Sequence, residues 1–335
     1  MRAAYEAWTS LELGARGRLE GTPFTLDGRT CIRSRRGAIW NDWALRFDDG
    51  RTLFLAEAAG ALTLYEEGSL VPPLVHVTVG GPLDTGFVVV ERGEATRVAQ
   101  WGAAGDAPAS YAYVDLSGPG GVVATIDYGS DPPRVFVGRE VSAAALGLSA
   151  RPERVRFIPA PEVSRPKGVD TWLAPGDVGE LCGMRARVVG LVSRSTGPSE
   201  EGRVRWDEYL LFDPAAGLRW LVVADGHWSI VEPLEAARVG DRPSGAVEID
   251  GVSYEPQSNG VARVDWAAGE LPWEVKIGET ADVKDFVHPP WTVTRESTPH
   301  ELTWSRGTLL SPDVIVKAFG KRPLPKPGGR APHDV

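Results

Sequence analysis

The chain has 335 residues, 42% of them hydrophobic and 24% charged, with a formal net charge of −9. That is enough apolar material for two ordinary domains, and the acidic balance argues against a binder of nucleic-acid backbones, which concentrates Lys and Arg on one face. With 39 Gly and 27 Pro, about one residue in five punctuates the chain; outside residues 1–13 and 38–49 no stretch free of both exceeds eleven residues, so a helical bundle or coiled coil is excluded and short strands with tight turns remain.

Residues 1–10, carrying Tyr5 and Trp8, fit a short helix. Glu12, Arg16 and Arg18 follow without an apolar run of signal-peptide length, and no segment approaches the span of a transmembrane helix. A cytoplasmic protein is expected. From Gly14 onward the chain is written twice. Gly14-Ala-Arg-Gly17-Arg-Leu19-Glu-Gly21, with Gly28 beyond, has the spacing of Gly176-Asp-Val-Gly179-Glu-Leu181-Cys-Gly183, with Gly190 beyond. Ala44-Leu-Arg-Phe47-Asp48 aligns with Tyr209-Leu-Leu-Phe212-Asp213, and Phe54 through Gly60 to Leu62 with Trp220 through Gly226 to Trp228. Ala95-Thr-Arg97-Val98 and Trp101 resemble Ala262-Arg263-Val264 and Trp266. Each copy closes on a strand, a polar cap and a short apolar helix stopped by Gly147 or Gly320.

The repeat divides the chain into a first β domain over 1–150, a Pro-rich linker over 151–169, a second domain over 170–320, and a Pro/Lys/Arg tail over 321–335 expected to be disordered. In the second domain, 203–213, 218–224 and 227–231 alternate with a period of two, joined by Asp213-Pro-Ala-Ala-Gly217 and Asp225-Gly226 turns; Asp-Gly favours a type I′ hairpin. Asp250-Gly251 marks another hairpin, and further strands follow at 262–266, 273–277, 291–296 and 301–305. The fold class is therefore mainly β: two tandem domains of short antiparallel strands, forming small barrels or barrel-plus-sheet units, each ending in a short helix.

Trp206-Asp-Glu-Tyr-Leu-Leu-Phe-Asp-Pro, then Gly217-Leu-Arg-Trp-Leu-Val, then Asp225-Gly-His-Trp-Ser resembles the signature of the bacterial domain-of-unknown-function family 4178. Gly269-Glu-Leu-Pro-Trp-Glu-Val and Trp304-Ser-Arg-Gly-Thr are similar to its C-terminal half, so the resemblance covers about 150 residues. The first domain resembles the family only through the internal repeat and looks like a degenerate copy. The resemblance implies a Src-homology-3-like β-barrel, no established catalysis, and gene neighbourhoods with polyamine-synthase-like enzymes and membrane-stress proteins. Some members carry a zinc ribbon, for which this chain has too few cysteines.

The candidate site is the aromatic set Trp206, Tyr209, Trp220 and Trp228, with Glu208 and His227 beside it. Rings on one meander make a rigid contact platform for a peptide or a cation, with core filling as the competing reading. Of the nearby acids, Asp213 and Asp225 read as turn caps, whereas Glu208 lies within a strand. The histidines His76, His227, His288, His300 and His333 have no metal-ligand spacing. Cys31 and Cys182 are far from any CxxC spacing and read as two buried thiols. There is no GxSxG or P-loop, and Ser117-Gly-Pro-Gly-Gly121 reads as a turn. His288-Pro289-Pro290-Trp291 reads as the step between two strands. The expected function is a non-catalytic binding or scaffolding module without cofactor or metal, its partner a protein or a cationic small molecule. The alternatives are an enzyme or enzyme subunit using His227 and Glu208, and a sensor of polyamines or cationic peptides.

Overall fold

The computed structural model describes residues 5–6, 8–68, 77–83, 85–103, 109–166, 170–197, 204–320 and 324–328. The chain forms two compact units, Met1–Phe157 and Ile158–Val335. His76, His333 and half of the N-terminal helix expected over 1–10 lie outside the described residues. Among those residues no helix is long and apolar enough to cross a membrane.

The first unit contains β1 (Arg16–Leu19), β2 (Thr22–Ser34), β3 (Ile39–Phe47), β4 (Thr52–Ala58), β5 (Ala61–Gly68), β6 (Val88–Gly102), β7 (Ser110–Ser117), β8 (Val122–Asp127) and β9 (Arg134–Val141). They pair antiparallel in the order β1-β2-β3-β4-β5-β9-β8-β7-β6, and β6 pairs back onto β2. Eight strands thus close into one ring, with β1 as a flap on β2.

The second unit begins with β10 (Ile158–Pro159) and continues with β11 (Val178–Leu181), β12 (Met184–Thr196), β13 (Val204–Asp213), β14 (Gly217–Ala224) and β15 (His227–Leu234). After them come β16 (Val239–Asp241), β17 (Val247–Ile249), β18 (Val252–Leu271), β19 (Thr280–His288), β20 (Trp291–Ser297), β21 (Leu302–Leu310) and the helix α1 (Pro312–Phe319). The order β11-β12-β13-β14-β15-β21-β20-β19-β18, closed by β12–β18, is the order of the first unit. The small strands β16 and β17 are an addition on β18. The sequence pattern left the number and size of the barrels open. Each unit is a single eight-stranded antiparallel barrel, and the second ends in the short helix.

Closure removes the unpaired edges that an open sheet would expose. At the closing seam Gly190 lies opposite Gly269, as Gly28 lies opposite Gly102 in the first ring. A Cβ on Gly190 would stand 2.2 Å from the Glu270 carbonyl oxygen, so the strands can cross there only through glycine. The hairpins repeat as well. Glu20-Gly21, Ala59-Gly60, Cys182-Gly183 and Asp225-Gly226 all have two consecutive positive φ angles, the requirement of a type I′ turn.

The terminal turn of each unit packs on the glycine of its first strand. A Cβ on Gly17 would meet the Leu146 carbonyl oxygen at 2.5 Å, and one on Gly179 the Ala318 oxygen at 2.6 Å. In the first unit this turn is a single 3-10 turn, Ala144–Leu146, stopped by Gly147; in the second it is α1, stopped by Gly320.

Three expectations are revised. Cys31 is buried, but Cys182 is exposed, because it occupies the first position of the β11–β12 turn at φ 50; both thiols are free. The stretch expected as an extended linker is docked over 158–166: β10 pairs with the end of β18, and Trp266 Nε1 donates to the Val163 carbonyl at 3.1 Å. The described part of the tail, 324–328, is docked too. Leu324 packs against the core of the second unit, Gly328 N donates to the Asp225 carbonyl at 2.8 Å, and the Lys326 carbonyl lies over Gly226. These segments gain enough apolar and backbone contact to offset the entropy that composition alone assigns them.

Candidate functional site

Strand periodicity splits the six candidate residues between two faces. Tyr209 and Trp228 are fully buried on one face, where the rings stack 6.1 Å apart within a cluster of Leu191, Leu211, Leu221 and Ile315. The Tyr209 hydroxyl accepts the Trp172 backbone N–H at 2.9 Å. In this structure neither ring belongs to an exposed platform. Residues three apart on a strand, such as Trp206 and Tyr209, point oppositely, so one surface cannot hold both.

Trp206, Glu208 and Trp220 share the other face. Trp220 is half-buried against Trp273, with ring centres 6.0 Å apart. His227 stands apart from Glu208: its Nε2 lies 3.1 Å from the Gly328 carbonyl, against the docked C-terminal segment. Asp213 caps its turn through the Ala215, Ala216 and Arg185 amides. Pro289-Pro290 forms the step from β19 to β20, and residues 119–121 form a 3-10 turn.

The Glu208 face lines the inside of the ring. Arg194 on β12 donates through Nη1 to Glu208 Oε1 at 3.2 Å and to Glu296 Oε1 at 2.7 Å. Strands β12 and β20 are not neighbours in the sheet, so that contact crosses the lumen. The opposite face of β18 is open to solvent at this level, with Val261 exposed by 51%. Trp206 donates its indole N–H to Glu208 Oε1 at 2.6 Å, and its ring centre is 5.9 Å from the Arg194 guanidinium. Further along, Asp285 accepts from Thr294 Oγ1 at 2.8 Å. Burial pushes the Glu208 carboxyl upward, against the pull of Arg194. Burial also opposes charge on Arg194, but Glu208 and Glu296 outweigh it and hold its guanidinium above the ordinary value.

The strand pairings place a corresponding set in the first ring. Trp40 lies opposite Ile32 as Trp206 lies opposite Arg194, and Asp42 opposite Thr30 as Glu208 lies opposite Val192. Trp40-Asn-Asp42-Trp43 therefore corresponds to Trp206-Asp-Glu208-Tyr209. The alignment of Ala44 with Tyr209 is one residue out of step, and a slip of one turns every side chain to the wrong face. Trp101 likewise pairs with Arg29 where Ala268 pairs with Leu191, so it is not the counterpart of Trp266. The pairings match Asp127 with Glu296, Asp115 with Asp285 and Thr125 with Thr294. Thr125 Oγ1 donates to Asp115 at 2.5 Å, repeating the Thr294–Asp285 bond.

In the first lumen the cation is Arg97, which donates to Asp127 Oδ2 at 3.0 Å and lies 4.2 Å from the centre of the Tyr111 ring. Burial raises the Asp42 carboxyl to about 7, with Arg97 pulling it down and Asp127 and Asp115 adding to the rise. Burial raises Asp115 to about 6. Among the described residues no group donates a hydrogen bond to Asp42. Tyr111 also lines an open groove at the β6–β7 edge, together with Arg33, Arg35, Glu94, Ala95 and Ser110. Among the described residues no group of three or more His, Cys, Asp and Glu side chains is placed to hold a metal ion.

The residues that sequence reasoning passed over are Asp42, Arg97, Asp115 and Asp127 in the first ring and Arg194 and Glu296 in the second. Except for Asp127, which ends β8 and accepts the Gly129 amide at 2.7 Å as a turn cap, their one sequence signal is a charge inside a strand with no turn to cap, the same signal that singled out Glu208.

Two tandem closed antiparallel barrels, each with carboxylates and a buried arginine in its lumen, define an all-β barrel protein. Residues 174–312, from just before β11 to the first turn of α1, match the family described as Domain of unknown function (DUF4178), and the second barrel belongs to it. No curated protein matches the chain.

Proposed function

We propose that the protein is a non-catalytic binding module for a cationic ligand bearing protonated amines, and that the luminal carboxylates are the groups that hold it. The observation that carries this reading is the charge balance of the first lumen. Asp42, Asp115 and Asp127 share the lumen with Arg97, which bonds Asp127, while Arg134, opposite Asp127, is taken by Glu67; among the described residues no group donates a hydrogen bond to Asp42. A buried carboxylate without a donor is costly, and an entering ammonium group would supply both charge and N–H. Trp40, Tyr65 and Tyr111 stand on the same luminal face, and rings favour cations. A linear polyamine such as spermidine has the right chemistry. The groove lined by Tyr111 offers a route from solvent.

The alternative of an enzyme using His227 and Glu208 draws no support from the geometry. Glu208 is engaged with Arg194 and Trp206, and His227 faces the Gly328 carbonyl. A general acid–base pair needs both groups within reach of one reacting centre.

Titration calorimetry tests the proposal. Spermidine added to the full chain is expected to release or absorb heat at millimolar concentration or below, and Asp42→Asn is expected to weaken binding at least tenfold. No heat with the wild type would remove the reading.

A further inference from the structure

We infer that the luminal carboxylate pair is a guanidinium-binding site in its own right, and that the arginine filling it is a tethered occupant which either strand of the closing seam can supply. In the second barrel the occupant is Arg194 on β12, and the residue opposite it on β18 is Val264. In the first barrel the residue at the Arg194 position is Ile32 on β2, and the residue opposite it on β6 is Arg97. The arginine and the aliphatic residue have exchanged places across the same cross-strand pair. The carboxylates have not moved: Asp42 and Asp127 stand where Glu208 and Glu296 stand. What is common to the two barrels is therefore a guanidinium on the Glu296 or Asp127 carboxylate, reached by arms from opposite sides; Arg194 also bonds Glu208, whereas Arg97 acts on Asp42 through its charge alone.

The way each arm is held agrees with this. Arg194 is only 9% exposed, and among the described residues its Nε is buried without a hydrogen-bond partner, while its Nη1 bonds both Glu208 and Glu296. The tip is satisfied and the stem is not. An aromatic ring stands beside the guanidinium in each case, Trp206 at 5.9 Å and Tyr111 at 4.2 Å. Rings attract ammonium and guanidinium ions alike, but only the planar fork of a guanidinium can reach two carboxylates from one carbon, as Arg194 does. The class of ligand the site takes is thus an alkylguanidinium. This inference concerns the place the arginine fills and holds whether or not an amine enters the first lumen.

The test exchanges the arm. In the full chain, Arg194→Val is expected to lower the melting temperature of the second unit, and Arg194→Val with Val264→Arg, which copies the first barrel, is expected to recover more than half of the loss. In parallel, Arg194→Ala is melted with methylguanidinium or methylammonium at equal millimolar concentration, and only methylguanidinium is expected to raise the transition. If Arg194→Ala does not fold, Arg97→Ala in the first barrel takes its place. Recovery in either measurement supports the inference. It is overturned if the double variant melts no higher than Arg194→Val and methylguanidinium does no more than methylammonium.

Discussion

Trp40 and Trp206 occupy the same place in two rings: Trp40 lies opposite Ile32 and Trp206 opposite Arg194, each with a luminal carboxylate two residues further along. The neighbours differ in how they use the ring. Trp40 packs edge-on against Tyr113, whereas Trp206 donates its N–H to Glu208.

That difference sets the first prediction. Trp206→Phe keeps the ring and deletes a hydrogen bond to a charged group, for a loss of about 1.5–3 kcal/mol. Trp40→Phe, which preserves the edge contact, is expected to cost less. Urea unfolding of the two variants compares them; equal losses would argue that the Trp206–Glu208 bond contributes nothing.

The raised carboxyl of Asp42 gives a pH dependence of definite sign. Its folded value of about 7 lies above the ordinary 3.8, so the folded state holds the proton more tightly between those limits and gains stability as pH falls through that window. Asp115, at about 6, acts in the same direction. Measured by denaturant unfolding from pH 8 to pH 5, the wild type is expected to gain on Asp42→Asn as pH falls. A difference between the two that stays constant with pH would show that Asp42 titrates normally.

Glycines at the seam and in open turns separate clash from backbone strain. Gly269→Ala places a Cβ 2.4 Å from the Val189 carbonyl oxygen at φ 77, whereas Gly176 has φ 96 with nothing within 4 Å. Gly176→Ala is expected to cost about 1–2 kcal/mol, the price of a left-handed residue, and Gly269→Ala clearly more. Thermal melting of each variant reads the order directly; the reverse order would mean that the seam tolerates a methyl group.

The docked C-terminal segment depends on Gly226, where a Cβ would stand 2.5 Å from the Lys326 carbonyl oxygen. Gly226→Ala is expected to displace residues 324–328. Amide exchange at Gly328, whose N–H bonds Asp225, reports it: protected in the wild type, fast in the variant. Equal protection would show that the segment can shift and stay bound.

Much of the barrel was legible because its grammar is local. Alternation along 203–213 and the Asp225-Gly226 turn need only neighbouring residues, and both recur in the first unit, at 39–47 and Ala59-Gly60. The lumen was not, for two physical reasons. Its groups come from β12, β13 and β20, brought together only by closure of the ring. The inside of each barrel is also partly polar, so alternation identifies a strand without saying which side is buried against apolar neighbours; between a contact platform and core filling the pattern left Tyr209 and Trp228 open, and they fill a core, while Glu208 beside them faces inward. Aligning Ala44 with Tyr209 then hid Asp42, the counterpart of Glu208, behind a slip of one residue.

The most direct test of a cation-binding lumen is the carboxyl of Asp42 itself. With the aspartate side-chain carboxyls labelled with carbon-13 and the Asp42 signal assigned by its loss in Asp42→Asn, the full chain is titrated from pH 5 to pH 8 with and without spermidine. The account predicts a midpoint near 7 without ligand and a clear fall when the amine is bound, because a neighbouring positive charge favours the carboxylate. An Asp42 midpoint that spermidine leaves unchanged would contradict it.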